Sequence, residues 1–149
     1  MKLEGRAVIA APREQVWQFL DDPDRLAKCL PGCEKLEPDG VDRYKVSLKF
    51  GVAAISGKFA GSVALTEKKP PSSMQMLVDG KGAPGFMKGQ GRLTLAEAAG
   101  GTEVSYEGEA HVGGLIASVG SRLIEATAKK IILQFFECAQ KQLAAGTKP

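Results

Sequence analysis

Val104-Ser105-Tyr106-Glu107-Gly108-Glu109-Ala110-His111-Val112-Gly113-Gly114, with the stretch from Leu115 to Phe136 behind it, decides the fold. Val104, Tyr106, Gly108, Ala110 and Val112 alternate with Glu107, Glu109 and His111. That is the period of a strand with one apolar face. At Gly113-Gly114 the period changes. Ile116, Val119, Leu123, Thr127 and Ile131 recur at helical spacing, which predicts a helix of about thirty residues, well above average length.

Upstream, the same alternation repeats. Tyr44, Val46, Leu48, Phe50 and Val52 share one face while Lys45 and Lys49 take the other. Phe59, Gly61, Val63 and Leu65 follow, then Met74, Met76 and Val78 after a turn at Lys68-Lys69-Pro70-Pro71-Ser72. Met87, Gly89, Gly91, Leu93 and Leu95 oppose Lys88, Gln90, Arg92 and Thr94. From Cys33 to Gly113 this makes an antiparallel meander of about six strands of ordinary length. One face is apolar, so the sheet is covered on one side only. Before it, residues 2–10 read as a strand, and Ala11-Pro12 opens a helix with Val16, Trp17, Phe19 and Leu20 on its apolar side. Asp21-Asp22-Pro23 can cap a second short helix carrying Leu26 and Leu30, stopped by Pro31-Gly32.

Only the C-terminal helix is available to cover so much apolar sheet. The expected class is α+β with a helix-grip architecture. A curved antiparallel sheet of about seven strands wraps around one long C-terminal helix, with two short helices after strand 1. Residues 1–145 form a single domain and 146–149 a frayed C-terminus. The 149-residue length suits one domain with a real core, and 44% hydrophobic with 25% charged residues is ordinary for a soluble chain. The charged N-terminus lacks a signal-peptide core, and no apolar run approaches the ~18 residues of a membrane span, so the expected location is cytoplasmic. A net charge of +3 argues for no nucleic-acid partner. The excess lies after Gly114, where Arg122, Lys129, Lys130, Lys141 and Lys148 meet only Glu125 and Glu137.

By parity, Gly5, Gly61, Gly89, Gly91 and Gly108 point at the helix. Glycine weakens a strand interior. One reading is mechanical: these residues let curved strands bend. The other is volume: missing side chains leave a cavity, bordered by the adaptable Met74, Met76 and Met87. The two are compatible. The wall of such a cavity would draw on Phe50, Phe59 and Tyr106 from the sheet and on Leu115, Ile116, Val119 and Leu123 from the helical segment. The inward face offers only the hydroxyls of Tyr44, Tyr106 and Thr127, so it suits an apolar or amphipathic ligand. Gly82 to Gly91 reads as a mobile loop over one end of the sheet, with Phe86 and Met87 placed to gate the cavity.

Catalytic and metal chemistry find little footing. His111, the single histidine, falls on the polar face. Cys29 and Cys33 have C-x3-C spacing, which fits neither a thioredoxin-type pair nor, with only His111 and distant Cys138 to add, a closed zinc site. They read as reduced structural thiols beside a turn. Gly82 to Gly91 lacks the Gly-Lys-Ser/Thr ending of a phosphate loop. No catalytic residue, metal site or covalent cofactor is therefore assigned. After Ile131 the helix carries large side chains most of the way round. It is then either bent or doubly covered, or it presents Leu133 and Phe136 beside Lys129 and Lys130 as a partner or membrane surface.

Asp22-Pro23 with Leu26, Cys29-Leu30-Pro31-Gly32-Cys33-Glu34, and Val112-Gly113-Gly114-Leu115-Ile116-Ala117-Ser118-Val119-Gly120-Ser121-Arg122-Leu123-Ile124 closely resemble the carbon monoxide dehydrogenase CoxG family of the START-like (SRPBCC) superfamily. The resemblance runs from about Leu3 to Phe136. It implies a non-catalytic accessory protein of a molybdenum-containing carbon monoxide dehydrogenase or related hydroxylase. Such a protein links its enzyme to the cytoplasmic membrane, as a peripheral contact on the inner face, or to a quinone of the respiratory chain. With the apolar inward face, it points to a bound quinone or lipid-like molecule, touched at the cavity mouth by Leu30 and Pro31. Two alternatives stand beside it. One is a ligand-free anchoring or assembly protein for the same enzyme. The other is a small hydrolase or cyclase acting in the cavity, which would need an inward acid–base pair beside Tyr44 or Tyr106.

Overall fold

The computed structural model describes residues 1–52 and 55–146, with the side chains of 50–56 and 144–146 left aside. Strand β1 (Lys2–Ile9) leads into helices α1 (Arg13–Leu20) and α2 (Pro23–Cys29). Strands β2 (Cys33–Pro38), β3 (Arg43–Val52), β4 (Ile55–Lys69), β5 (Ser73–Gly82), β6 (Gly85–Ala98) and β7 (Gly101–Gly113) follow. A 3-10 turn (Leu115–Val119) and helix α3 (Ser121–Gly146) complete the order. The strands form one seven-stranded sheet in the order β1-β7-β6-β5-β4-β3-β2, and every pairing is antiparallel. This is the α+β helix-grip class that the alternation and the long helix imply.

Local chemistry explains the joints. Asp22 caps α2, its carboxylate accepting from the Asp24 and Arg25 amides, while Pro23 occupies the first turn where no amide is needed. α1 turns Val16, Trp17, Phe19 and Leu20 inward. They join Ile9, Leu65, Met74, Leu95, Val104, Ala139 and Leu143 in the main core. A second, smaller cluster lies nearer the start of α3, where Phe59 and Ile116 are buried with Leu48, Met87, Val112 and Ile131 against them.

Three expectations are corrected. The helix does not run unbroken from Gly114. A 3-10 turn comes first, and Gly120 at φ +98° separates it from the 26 residues of α3. Glycine takes that left-handed backbone without the steric cost of a Cβ. The stretch from Gly82 to Gly91 is not a long loop. β5 and β6 pair as far as Gly82 and Gly85, leaving only Ala83 and Pro84 between them. Finally, Cys29 is not a reduced thiol. It is disulfide-bonded to Cys138, and Cys33 alone is free. Packing of α2 against α3 brings residues 109 positions apart to a Cα–Cα distance of 5.3 Å. The Pro31-Gly32 turn meanwhile sends Cys33 into β2, opposite Leu48.

Candidate functional site

The strand register sorts the inner face into rows. One central row runs Leu65, Met76, Gly91, Gly108, Leu3. The next runs Tyr44, Val63, Val78, Gly89, Ala110. A third runs Val46, Gly61, Gly80, Met87, Val112. The first two rows border the main core through Leu65, Tyr44, Val63 and Met76, and the third meets the smaller cluster at Met87 and Val112. Leu3, Val63, Met76, Val78, Gly89, Gly91, Gly108 and Ala110 are only partly buried, although their side chains or Cα hydrogens face the helix side. The clusters therefore leave these positions incompletely covered.

The glycines have a mechanical reason to be there. A Cβ on Gly61 would strike the Asp79 carbonyl of β5, and one on Gly108 would strike the Gln90 carbonyl of β6. Only glycine lets neighbouring strands approach this closely. Gly5 instead receives the Tyr106 ring, whose hydroxyl occupies the space a side chain would fill. Tyr106 stacks on Phe136 at 5.7 Å. Phe136 meets Phe135 edge-on at 5.5 Å, and Phe135 lies 6.2 Å from Phe19. This aromatic run joins the main core to the glycine rows, and residue spacing carries no sign of it.

The candidate residues separate accordingly. Met74 is fully buried in the main core. Phe59, Ile116 and Met87 belong to the smaller cluster. Gly61, Met76, Gly89, Gly91, Tyr106 and Gly108 come together along the central rows and the row beside them. Leu30, Pro31 and Val119 are half-buried, Leu30 as the residue that closes α2. Phe86, Leu115 and Leu123 stand in solvent rather than over the interior. The Phe50 side chain lies outside the described residues. Of the helix surface, Lys129, Lys130 and Leu133 are exposed, with Lys129 paired to Glu125 at 3.0 Å, whereas Phe136 is turned inward onto Tyr106.

Among the described residues, two shallow hollows open mainly on the other face of the sheet, the first also bordered by Val78 and Gly89 and the second by Gly5 and Tyr106. One, of about 400 Å³, lies over Arg43, Ala64, Leu77, Gln90 and Glu109 and the neighbouring row Ser62, Asp79, Lys88 and His111. The other, of about 520 Å³, lies over Glu4, Arg6, Arg92, Thr94, Ser105 and Glu107. Their mixed charges suit no single ligand charge.

Among the described residues, a charged cluster of Lys68, Asp21 and Asp42 acts on Tyr44 of the inner face. Lys68 Nζ donates to both carboxylates at 2.8 Å. A bulge between Thr66 and Lys69, with Glu67 at φ +48°, sets Lys68 there. Burial alone would lower the Lys68 ammonium, but hydrogen bonds to Asp21 and Asp42 outweigh it and hold the group above the usual lysine range. Burial raises the Tyr44 phenol, and the charges of Asp21 and Asp42 raise it further. At Cys33, burial raises the thiol against the opposing pull of a hydrogen bond to the Lys35 carbonyl. Among the described residues, no three His, Cys, Asp or Glu side chains gather as a metal site. No described helix is long and apolar enough to cross a membrane.

A long helix gripped by a curved antiparallel sheet, with a partly open apolar middle, defines a helix-grip protein of the START-like type. The chain belongs to the carbon monoxide dehydrogenase CoxG family, whose sequence model matches residues 5–144. Among solved structures, a conserved protein from Geobacillus kaustophilus is 37% identical, with a TM-score of 0.94 over 97% of this chain and 96% of that one. A protein from Chromobacterium violaceum shares the fold at 21% identity and TM-score 0.73, covering 95% of this chain and 96% of its own. The di-domain ARO/CYC StfQ of the steffimycin biosynthetic pathway matches at TM-score 0.74 and 8% identity, over 97% of this chain and 50% of that one. The comparison with curated proteins found no match.

Proposed function

We propose that the chain is a non-catalytic accessory protein of a molybdenum-containing carbon monoxide dehydrogenase or related hydroxylase. It holds an apolar ligand, a quinone or lipid-like molecule, between sheet and α3. In this way it links the enzyme to the membrane or respiratory chain. One observation supports the reading: the inner-face positions around Met76, Gly91 and Gly108, beside the main core, are only partly buried. The three inner-face rows carry no charged side chain; their hydroxyl is that of Tyr44, and Tyr106 stands in the adjoining row. Thr127 has already donated its hydroxyl to the Leu123 carbonyl at 2.8 Å. A mostly apolar surface with two tyrosine hydroxyls suits a ring with a carbonyl better than a charged substrate.

Mass spectrometry of the purified protein for isoprenoid or acyl molecules, with a quinone titration, tests this. Gly91→Leu should fill the middle row and weaken binding at least about tenfold while the fold survives, judged by circular dichroism. No co-purifying molecule and no saturable quinone response would sink the reading.

The cyclase alternative draws on the likeness to StfQ, and on the carboxylates beside Tyr44. Those carboxylates are already held by Lys68 and are more than a third exposed, at 37% and 35%. They are poor candidates for an activated base. The ligand-free anchoring alternative loses its aromatic, because Phe136 faces Tyr106.

A further inference from the structure

We propose that the end of the sheet where the β5–β6 turn meets the 3-10 turn is a docking surface for an anionic phospholipid bilayer. This deepens the membrane-linking part of the reading above and does not depend on the ligand.

Three segments lock together here. The Ile116 amide donates to the Pro84 carbonyl at 2.7 Å. Pro84 also lies against Gly57, and the Phe86 ring covers Gly113. Ile116 is thereby turned into the smaller core, and its chain neighbour Leu115 is thrown outward, 73% exposed. Phe86 stands 48% exposed and Leu123 38% exposed on the same end. Large apolar side chains in solvent on adjoining segments call for a partner.

Charge says which partner. On β3 to β7 beyond the row of Asp79, Lys88 and His111, and in residues 114–124, this end carries Lys49, Lys58, Lys81 and Arg122 and no Asp or Glu, while Glu34 and Lys35 of β2 lie beside Leu48 and Ser47. Lys49 and Lys58 sit directly opposite in the β3–β4 ladder, a repulsive placement. Among the described residues, Lys49, Lys58, Lys81 and Arg122 form no ion pair, and Lys88 reaches Asp79 only at 4.0 Å. The opposite end of the sheet mixes Asp21, Asp22, Asp24, Asp39, Asp42, Glu67 and Glu97 with Arg13, Arg25, Arg43, Lys68 and Lys69, and several of these pair with one another. One end is thus mixed and internally paired, while the other offers unpaired cations to a negative surface potential. Protein interfaces are depleted in lysine. Here three of the four cations are lysine, and long lysine stems let apolar residues enter a headgroup layer while their ammonium groups stay at the phosphates.

The test is co-sedimentation of the 149-residue chain with vesicles of phosphatidylcholine alone or mixed with phosphatidylglycerol. Binding should require phosphatidylglycerol and weaken as salt rises. Lys58→Glu with Lys81→Glu should reduce partitioning at least about tenfold, and Leu115→Ser about as much. Lys129→Glu with Lys130→Glu on α3 should stay within about twofold of the parent. Leu115→Trp gives a readout independent of variant stability. Trp17, the single native tryptophan, is buried, so a blue shift on vesicle addition reports the new side chain entering lipid. Absence of that shift, equal binding to phosphatidylcholine, or loss only with the α3 pair would overturn the proposal. So would a dependence on Lys58 and Lys81 seen only in self-association or in binding to the dehydrogenase. Vesicle binding reads this surface and the quinone titration reads the interior, so either can fail alone.

Discussion

The two ends of the sheet are built on opposite terms. At the α1–α2 end, Val16, Phe19, Met74, Leu95, Val104 and Leu143 are almost wholly removed from water. Cys29–Cys138 ties α2 to α3, and Lys68 bridges Asp21 to Asp42. At the other end the core cluster has only Phe59 and Ile116 fully buried among the described residues, and Leu115, Phe86 and Leu123 face solvent. One end holds the fold together. The other is under light packing constraint and is free to meet something else, as low-stability regions commonly are.

The largest expected effect sits at the sealed end. Phe19→Ala removes a ring that packs on Phe135 and lies under the Arg25 guanidinium at 5.2 Å. It should cost about 4 kcal/mol in urea denaturation. A loss below about 1 kcal/mol would mean that end is not sealed. Next comes the disulfide. It closes a loop of 109 positions, so Cys138→Ala should lower stability by about 2–4 kcal/mol. Reduction of the parent protein should do the same, and a parent insensitive to reductant would break the contrast between the ends.

How much of this was legible in the sequence follows from what each feature depends on. Strand faces were readable because period-2 alternation is local. Val104 to Val112 and Met87 to Leu95 needed no knowledge of their partners. The Asp22 cap was readable for the same reason. The Cys29–Cys138 pair was not, because it depends on how α2 packs on α3, and C-x3-C spacing drew attention to the wrong partner. Phe136 was ambiguous because the helix is apolar nearly all round after Ile131, and only the position of Tyr106 decides which way that ring turns. Leu115 and Ile116 show the same limit. Both are apolar neighbours in sequence, yet the hydrogen bond to Pro84 sends one in and the other out.

A smaller effect is expected at the Lys68 bridge. Lys68→Met leaves Asp21 and Asp42 without their shared cation and should cost about 1 kcal/mol near neutral pH. The pH dependence has a definite sign. The folded state holds the Lys68 proton more tightly than the unfolded chain does. Its contribution is therefore fully present below the ordinary value of 10.5 and lost as pH rises through the higher folded value. Tyr44 adds in the same direction from its ordinary 10.0. Urea midpoints of the parent should not respond to these two groups between about pH 7 and 9 and should fall above about pH 10, and Lys68→Met should soften that alkaline fall. A midpoint that rises with alkaline pH would contradict the assignment.

The smallest effect is the most discriminating. Leu115→Ser alters a side chain that is 73% exposed, so stability should change by less than about 0.5 kcal/mol. Ile116→Ala, one residue along, opens a hole beside Phe59 and Ile131 and should cost about 2–4 kcal/mol. The pair holds chain position and local backbone nearly constant and varies only the direction of the side chain. If both substitutions cost the same, Leu115 is packed, the two ends are alike, and the exposed surface proposed for lipid does not exist. If they differ as expected, an exposed leucine contributes almost nothing to the fold, and its reason for being leucine has to be sought outside the chain.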